Sequence, residues 1–328
     1  MSNPIKVFAL SLLCLLWGIN WVAIKMSLEG LPPFTSAGLR FLTASVIMFL
    51  YIKWKKMSFS VNGKEFKMLL ICAFLTYVLD YSLIYWGEQY LSAGVSSIFS
   101  STFVLFTALF TTFVFKNEPF SASKYTGLVI GFLGVLTIFY DQLIITRFSV
   151  MVILASAAML AAAINAALST VLVKKYLNHM DPVILSFYQL AMGSVFLAIM
   201  ASTAENFSKI HLTVRVMMAV LYMGVAASAI AFVLFYYLLK HMSAISLSLT
   251  IYVIPLIALI TDYFVYGEVL HWRSILGMII IFTGIWLSQL NKQRLDQFLV
   301  KLKIKPVSLE REMKENNNED GHECSVEM

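Results

Sequence analysis

The chain has 328 residues, of which 60% are hydrophobic and 13% charged, and a mean hydropathy of +0.82. Soluble domains average about 25% charged and 45–50% apolar residues, so this composition excludes a soluble globular protein and points to a polytopic membrane protein. The net charge of +6 and pI near 9.1 read as basic residues that orient the chain in a bilayer. They do not read as a nucleic-acid surface, because no basic patch is interleaved with aromatic residues.

A membrane-spanning helix needs about 20 mostly apolar residues. Ten segments qualify: 5–26, 35–54, 67–87, 94–115, 124–140, 150–173, 184–202, 214–238, 245–265 and 273–290. The first is too long for a signal-peptide core and lacks a small-residue cleavage pattern, so it reads as a retained span. The gaps are short and carry breakers, among them Gly30, Pro32, Pro33, Gly63, Pro119, Pro182 and Gly267. After residue 290 the character changes. Leu295, Phe298, Leu299 and Leu302, flanked by Arg294, Lys301, Lys303 and Lys305, predict an amphipathic helix over 292–305 on an anionic membrane surface. Residues 306–328 hold seven acidic residues and an asparagine run, and are expected to be disordered.

With the N-terminus inside, 18 of the 24 Lys and Arg fall on the cytoplasmic side and 4 on the outer side. Lys25 and Arg40 lie within spans. This asymmetry predicts cytoplasmic N- and C-termini.

One pattern occurs twice. Tyr85, Ser92-Ala93, Glu118, Gly127 and Gly134 are followed by Tyr236, Ser243-Ala244, Glu268, Gly277 and Gly284. In both copies eight residues separate the Glu from the first Gly, and six separate the two Gly. Pro33, Arg40 and Ser45 keep the spacing of Pro182, Gln189 and Ser194. A repeat of about 150 residues built from apolar helices marks a transporter fold. Five spans precede residue 141, and five is odd, so the second copy runs inverted. The expected fold is therefore all-α and integral to the membrane: ten transmembrane helices in two inverted five-helix repeats, 5–140 and 150–290, with a cytoplasmic tail over 291–328.

Trp17-Gly18-Ile19-Asn20, Arg40-Phe41 and the stretches Tyr85–Gly134 and Tyr236–Gly284 resemble the EamA branch of the drug/metabolite transporter superfamily. The resemblance covers about residues 5–290. It implies a ten-helix transporter, usually an exporter of small metabolites such as amino acids. Two positions depart from the family pattern. Val104 stands where span four usually has Pro, aligned with Pro255 in span nine, and Asn117 stands where Gly usually precedes the Glu. Only span nine then keeps the Pro that opens a helix by removing a backbone donor, which makes Pro255 the candidate hinge.

Polar groups inside spans carry the functional signal, because a charge near a helix centre costs about 2.5–3.5 kcal/mol on insertion scales. Arg40 and Asp80 both lie about 10 Å below the outer end of their helices, with Asn20 at similar depth. Two arrangements are open: a structural Arg40–Asp80 ion pair, or Arg40 holding a substrate carboxylate while Asp80 takes an amine or a carried proton. The inverted partners Asn165 and Gln189 belong near the inner face. Trp17, Trp21, Tyr77, Tyr81, Tyr188 and Tyr252 are candidate walls of the substrate cavity. Asp262 is a candidate outer gate with Lys25 or Arg273. Glu118 and Glu268 sit at helix–loop junctions and are expected to cap the helices that follow.

Cys14, Cys72 and Cys324 give no pairing framework, and no Cys/His cluster has metal-ligand spacing. There is no phosphate-binding loop, and the five His lie in loops, at span ends or in the tail. No metal, cofactor or catalytic activity is expected. The sequence reads as a secondary transporter in the plasma membrane whose partners are a small-molecule substrate and lipid. It is most simply an exporter of amino acids or similar metabolites; a drug or nucleotide-sugar carrier is the alternative, and a channel or receptor is less favoured.

Overall fold

The computed structural model describes residues 4–115, 122–145, 149–244, 247, 253–268 and 271–288. The amphipathic 292–305 and disordered 306–328 expectations, Glu118 and Tyr252 lie outside these residues.

The described chain is helical throughout its ordered segments: α1 Pro4–Leu28, α2 Pro33–Trp54, α3 Gly63–Gly87, α4 Ala93–Val114, α5 Ala122–Ile145, α6 Val150–Tyr176, α7 Pro182–Ala204, α8 Val214–His241, α9 Val253–Tyr266 and α10 Trp272–Ser288. Seven of these, α1 to α4 and α6 to α8, are long and apolar enough to cross a membrane. The others carry shorter apolar stretches, Val129–Ile138, Val253–Tyr266 and Trp272–Gly284.

Local chemistry sets the starts. Pro33 and Pro182 occupy the first turns of α2 and α7, where the missing N–H costs nothing. Asp181 caps α7 by accepting from Val183 N at 2.8 Å. Asn62 and Glu65 form a reciprocal capping box on α3. The first N–H groups of α2 are satisfied from a distance: Glu205, just after α7, accepts from Thr35 N at 2.8 Å and Thr35 Oγ1 at 2.7 Å.

Helix pairing is reciprocal between the halves. α2 packs on α7 and α5 on α10; α1 packs on α9 as α4 packs on α6; α8 packs on α1 and α2 as α3 packs on α6 and α7. Small residues permit the closest approaches. A Cβ on Gly284 would lie 2.4 Å from Gly131 N and 2.6 Å from Gly127 O, and one on Gly134 would lie 2.7 Å from Gly277 O. The α5–α10 seam is thus backbone against backbone, as expected where small residues rather than water drive helix association.

Two irregularities shape the centre. α3 and α8 each contain a π-helical stretch, Phe74–Asp80 and Val225–Ile230. They begin at equivalent places, each eleven residues ahead of the repeat tyrosine, Tyr85 or Tyr236. A third, Val173–Leu177, ends α6. π-turns displace carbonyls from the regular ladder and cluster at functional sites. In addition, α4 is interrupted at Thr102, between Ala93–Ser101 and Phe103–Phe115. The family's Pro is absent there, but Ser97, Ser101 and Thr102 bond back to Gly94, Ile98 and Phe99 carbonyls at 2.6, 2.6 and 2.7 Å. Such back-bonding competes with the ladder and bends helices. The break in α4 therefore rests on hydroxyl back-bonding, with Val104 rather than a proline beside it.

Candidate solute-binding cavity

A cavity of about 130 Å³ lies between the two halves. An engineered apolar cavity of about 150 Å³ admits benzene, so the space suits a small organic solute. Trp17, Asn20 and Trp21 of α1, Asp80 and Tyr81 of α3, and Ser97 and Ser100 of α4 line one part. Ser169 of α6, Phe232, Phe235 and Tyr236 of α8, and Ile254 of α9 line the other.

The aromatic wall is continuous. Trp17 meets Phe232 at 5.8 Å and Phe235 at 5.2 Å between ring centres; Phe235 meets Tyr236 at 5.4 Å, and Tyr81 meets Phe232 at 6.3 Å. Its orientation is fixed by hydrogen bonds. Trp17 Nε1–H donates to Ala227 O at 3.2 Å, and the Tyr236 hydroxyl donates to Gln189 Oε1 at 2.9 Å. On the opposite side Thr76 donates to Ser169 Oγ at 2.7 Å, joining the α3 π-stretch to α6.

Of the predicted cavity residues, Trp17, Asn20, Trp21, Asp80 and Tyr81 share this one wall. Five others are placed off it. Tyr77 is fully buried against Phe41 at 4.7 Å and in stacked contact with Tyr81 at 5.8 Å. Gln189 is buried behind Tyr236. Asn165 bonds its own helix, donating to Ala161 O at 2.8 Å. Tyr188 donates to Phe59 O at 2.6 Å, a helix-to-loop contact.

Arg40 corrects the expectation most sharply. It makes no ion pair with Asp80. The side chain is fully buried and reaches α8: Nε donates to Ser228 Oγ at 2.7 Å, Nη2 to Ala227 O at 3.2 Å, and Nη1 to Tyr85 Oη at 3.4 Å. The guanidinium also stacks on Tyr81 and Phe41, 5.0 and 5.1 Å from the ring centres. The reason is the π-stretch of α8, whose Ala227 carbonyl takes both Trp17 and Arg40. The Ala227 carbonyl and the Ser228 and Tyr85 hydroxyls together meet three of the five guanidinium N–H donors. Tyr81 lines the cavity, so Arg40 sits one ring behind it.

Asp262 is buried and accepts from Gly94 N at 2.9 Å, holding the start of α4 to α9. Lys25 meets Glu268 at 3.6 Å and Tyr266 at 4.9 Å. Tyr266 in turn donates to Glu29, which pairs with Arg215 at 3.2 Å. The ends of α1 and α9 and the start of α8 thus close around Tyr266. Pro255 is buried in the first turn of described α9.

The hydroxyls and aromatic rings that sequence reasoning missed were Thr76, Ser97, Ser100, Ser169, Phe232 and Phe235. Phe232 could have been found by transferring Tyr81 across the repeat, since the two keep the spacing of Tyr85 and Tyr236.

A helical membrane bundle with a polar-pointed aromatic cavity shared by two related halves defines a solute transporter by class. The EamA-like transporter family matches residues 4–140 and 153–290, and the chain belongs to that family. It is similar to the uncharacterized transporter YoaV of Bacillus subtilis, 25% identical over 85% of this chain and 95% of the relative. It is also similar to an uncharacterized transporter of Archaeoglobus fulgidus, 28% identical over 85% and 95%, and to protein PagO of Salmonella typhimurium, 24% identical over 84% and 90%. One solved crystal structure superposes with a TM-score of 0.65 at 15% identity, covering 88% of this chain and 98% of the other.

Proposed function

We propose that the protein is a secondary transporter that exports a small organic metabolite by alternating access. In this reading ten spans form two inverted five-helix halves, with both termini cytoplasmic, in the plasma membrane. The observation that carries it is the shared cavity: each half supplies its wall, and the helix pairs that enclose it are reciprocal between halves. Rocking one half against the other would expose such a site to each side in turn. Amine-bearing metabolites are the first substrate class, with Asp80 receiving the amine or a carried proton; the amino acids expected from the sequence come second, because the Arg40 guanidinium that would hold their carboxylate is bonded to α8. Pro255 and the Thr102 break are the places where helices would bend.

A drug carrier is the second reading, and it is favoured by one observation: Arg40 is engaged with α8 rather than with the cavity. A nucleotide-sugar would bring phosphates to a wall with no Lys, Arg or His among its described residues.

Counterflow in proteoliposomes tests the transport reading. Excess unlabelled solute inside should accelerate uptake of labelled solute. A channel gives no acceleration, and that result would end the carrier reading. Export is tested separately by profiling the medium of overproducing cells.

A further inference from the structure

We propose that the cavity is a cation site. It takes a small organic monocation, a protonated or quaternary amine on an apolar or aromatic body, with Asp80 as the counter-ion. The inference rests on reading the cavity as the place where the transported solute sits.

Three observations point the same way. Asp80 is the sole ionisable carboxylate among the described lining residues, and none of them is Lys, Arg or His. It is 5% exposed, and no described residue donates a hydrogen bond or pairs with it. Asn20, also 5% exposed, presents a buried Oδ1 without a hydrogen-bond partner among the described residues. The Asp80 carboxylate and Asn20 Oδ1 on the wall call for donors and positive charge, beside a Ser100 hydroxyl that also lacks a partner among the described residues. The remaining surface includes the aromatic rings of Trp17, Tyr81, Phe232, Phe235 and Tyr236. Aromatic faces carry the negative lobe of the ring quadrupole and attract ammonium groups.

The position of Arg40 decides against an anionic or zwitterionic ligand. Three of its five N–H donors are taken by Ser228, Ala227 and Tyr85, and the guanidinium lies against the Tyr81 ring that lines the cavity. A carboxylate entering the space would meet the like charge of Asp80, with only neutral Asn20 and Ser100 donors and no described lining cation to balance it. An amine would complete the site.

The test is equilibrium binding to the purified full chain in detergent, read by tryptophan fluorescence, since Trp17 and Trp21 line the site. Four probes share one ring: phenethylamine, L-phenylalanine, 3-phenylpropionate and 2-phenylethanol. Phenethylamine should bind at least tenfold tighter than each of the other three. Asp80→Asn should weaken it at least tenfold without changing 2-phenylethanol binding, and Asp80→Glu should retain selectivity for the amine. Size-exclusion profiles confirm that each variant is folded. Equal or tighter binding of phenylalanine or phenylpropionate, an unchanged Asp80→Asn variant, or a folded protein that binds none of the probes would overturn the proposal. The two readings fail differently. Amine binding without counterflow of the bound amine removes the carrier and leaves the cation site, whereas counterflow of an anion or zwitterion does the reverse.

Discussion

Tyr236 donates its hydroxyl proton to Gln189 at 2.9 Å, and the equivalent pair in the other half is Arg40 donating to Tyr85 at 3.4 Å. The repeat thus conserves a contact between its second and third helices while changing its chemistry from amide to guanidinium. The tyrosine turns from donor into acceptor, and Tyr85 passes its own proton on to Met223 Sδ at 3.3 Å.

These pairs differ in what their loss should cost. Tyr236→Phe leaves Gln189 buried with Oε1 unmet, beside an Nε2 that already lacks a partner. A stranded buried acceptor costs about 1–3 kcal/mol. Tyr85→Phe removes a long bond from an Arg40 that keeps Ser228 and Ala227. Melting in detergent should therefore fall more for Tyr236→Phe than for Tyr85→Phe.

Arg40 is a structural tie between α2 and α8, whereas Asp80 makes no hydrogen bond or ion pair among the described residues. Hydrogen bonds made by a charged group contribute about 1.5–3 kcal/mol. Arg40→Ala should lower the melting temperature clearly, and Arg40→Lys should not restore it, because an ammonium lacks the planar fork. Asp80→Asn should melt close to the parent. The reverse order would place Arg40 at the solute and Asp80 in the scaffold.

Glu88, at the end of α3, is 1% exposed, and neither carboxylate oxygen has a hydrogen-bond partner among the described residues. An uncompensated buried carboxylate destabilises a fold. Glu88→Gln keeps the shape and removes the charge, so its melting temperature should equal or exceed the parent's. A marked fall would reveal a partner for the carboxylate.

Gly284→Ala should disrupt the α5–α10 seam. The added methyl would lie 2.4 Å from Gly131 N and 2.6 Å from Gly127 O, and backbone atoms cannot rotate away. Overpacking of this kind costs about 1–3 kcal/mol or more. Gly63→Ala, where nothing lies within 4 Å, is the control. Expression and melting of the two variants side by side give the readout.

Topology is open to direct labelling. Ser60 and Ser208 are exposed, in the α2–α3 and α7–α8 connections. With the proposed orientation, an impermeant maleimide on whole cells should modify Ser208→Cys and spare Ser60→Cys. Permeabilised cells should label both.

Hydropathy and breakers act locally, so the apolar segments were legible from the sequence. Each predicted segment coincides with helix wherever the chain is described. The repeat was legible for the same reason: Tyr85 and Tyr236 each stand seven residues ahead of a Ser-Ala pair, and Glu118 and Glu268 keep one spacing to the two glycines that follow. Asn20, Asp80, Trp17 and Trp21 could be nominated because polar and aromatic groups inside a span stand out against lipid-like neighbours. The π-stretches could not be read, since Phe74–Asp80 and Val225–Ile230 differ from ordinary helix only in which carbonyl each N–H selects.

The sequence by itself determined that this is a duplicated helical membrane protein with a few buried polar groups. Only the tertiary structure decided what those groups face. Arg40 finds its partners 187 and 188 residues away, on Ala227 and Ser228. Two helices must approach at one rotation for that contact to form, and the approach is set by small residues and π-turns rather than by hydropathy. That choice takes the guanidinium off the cavity wall and leaves Asp80 as the one ionisable carboxylate among the described lining residues.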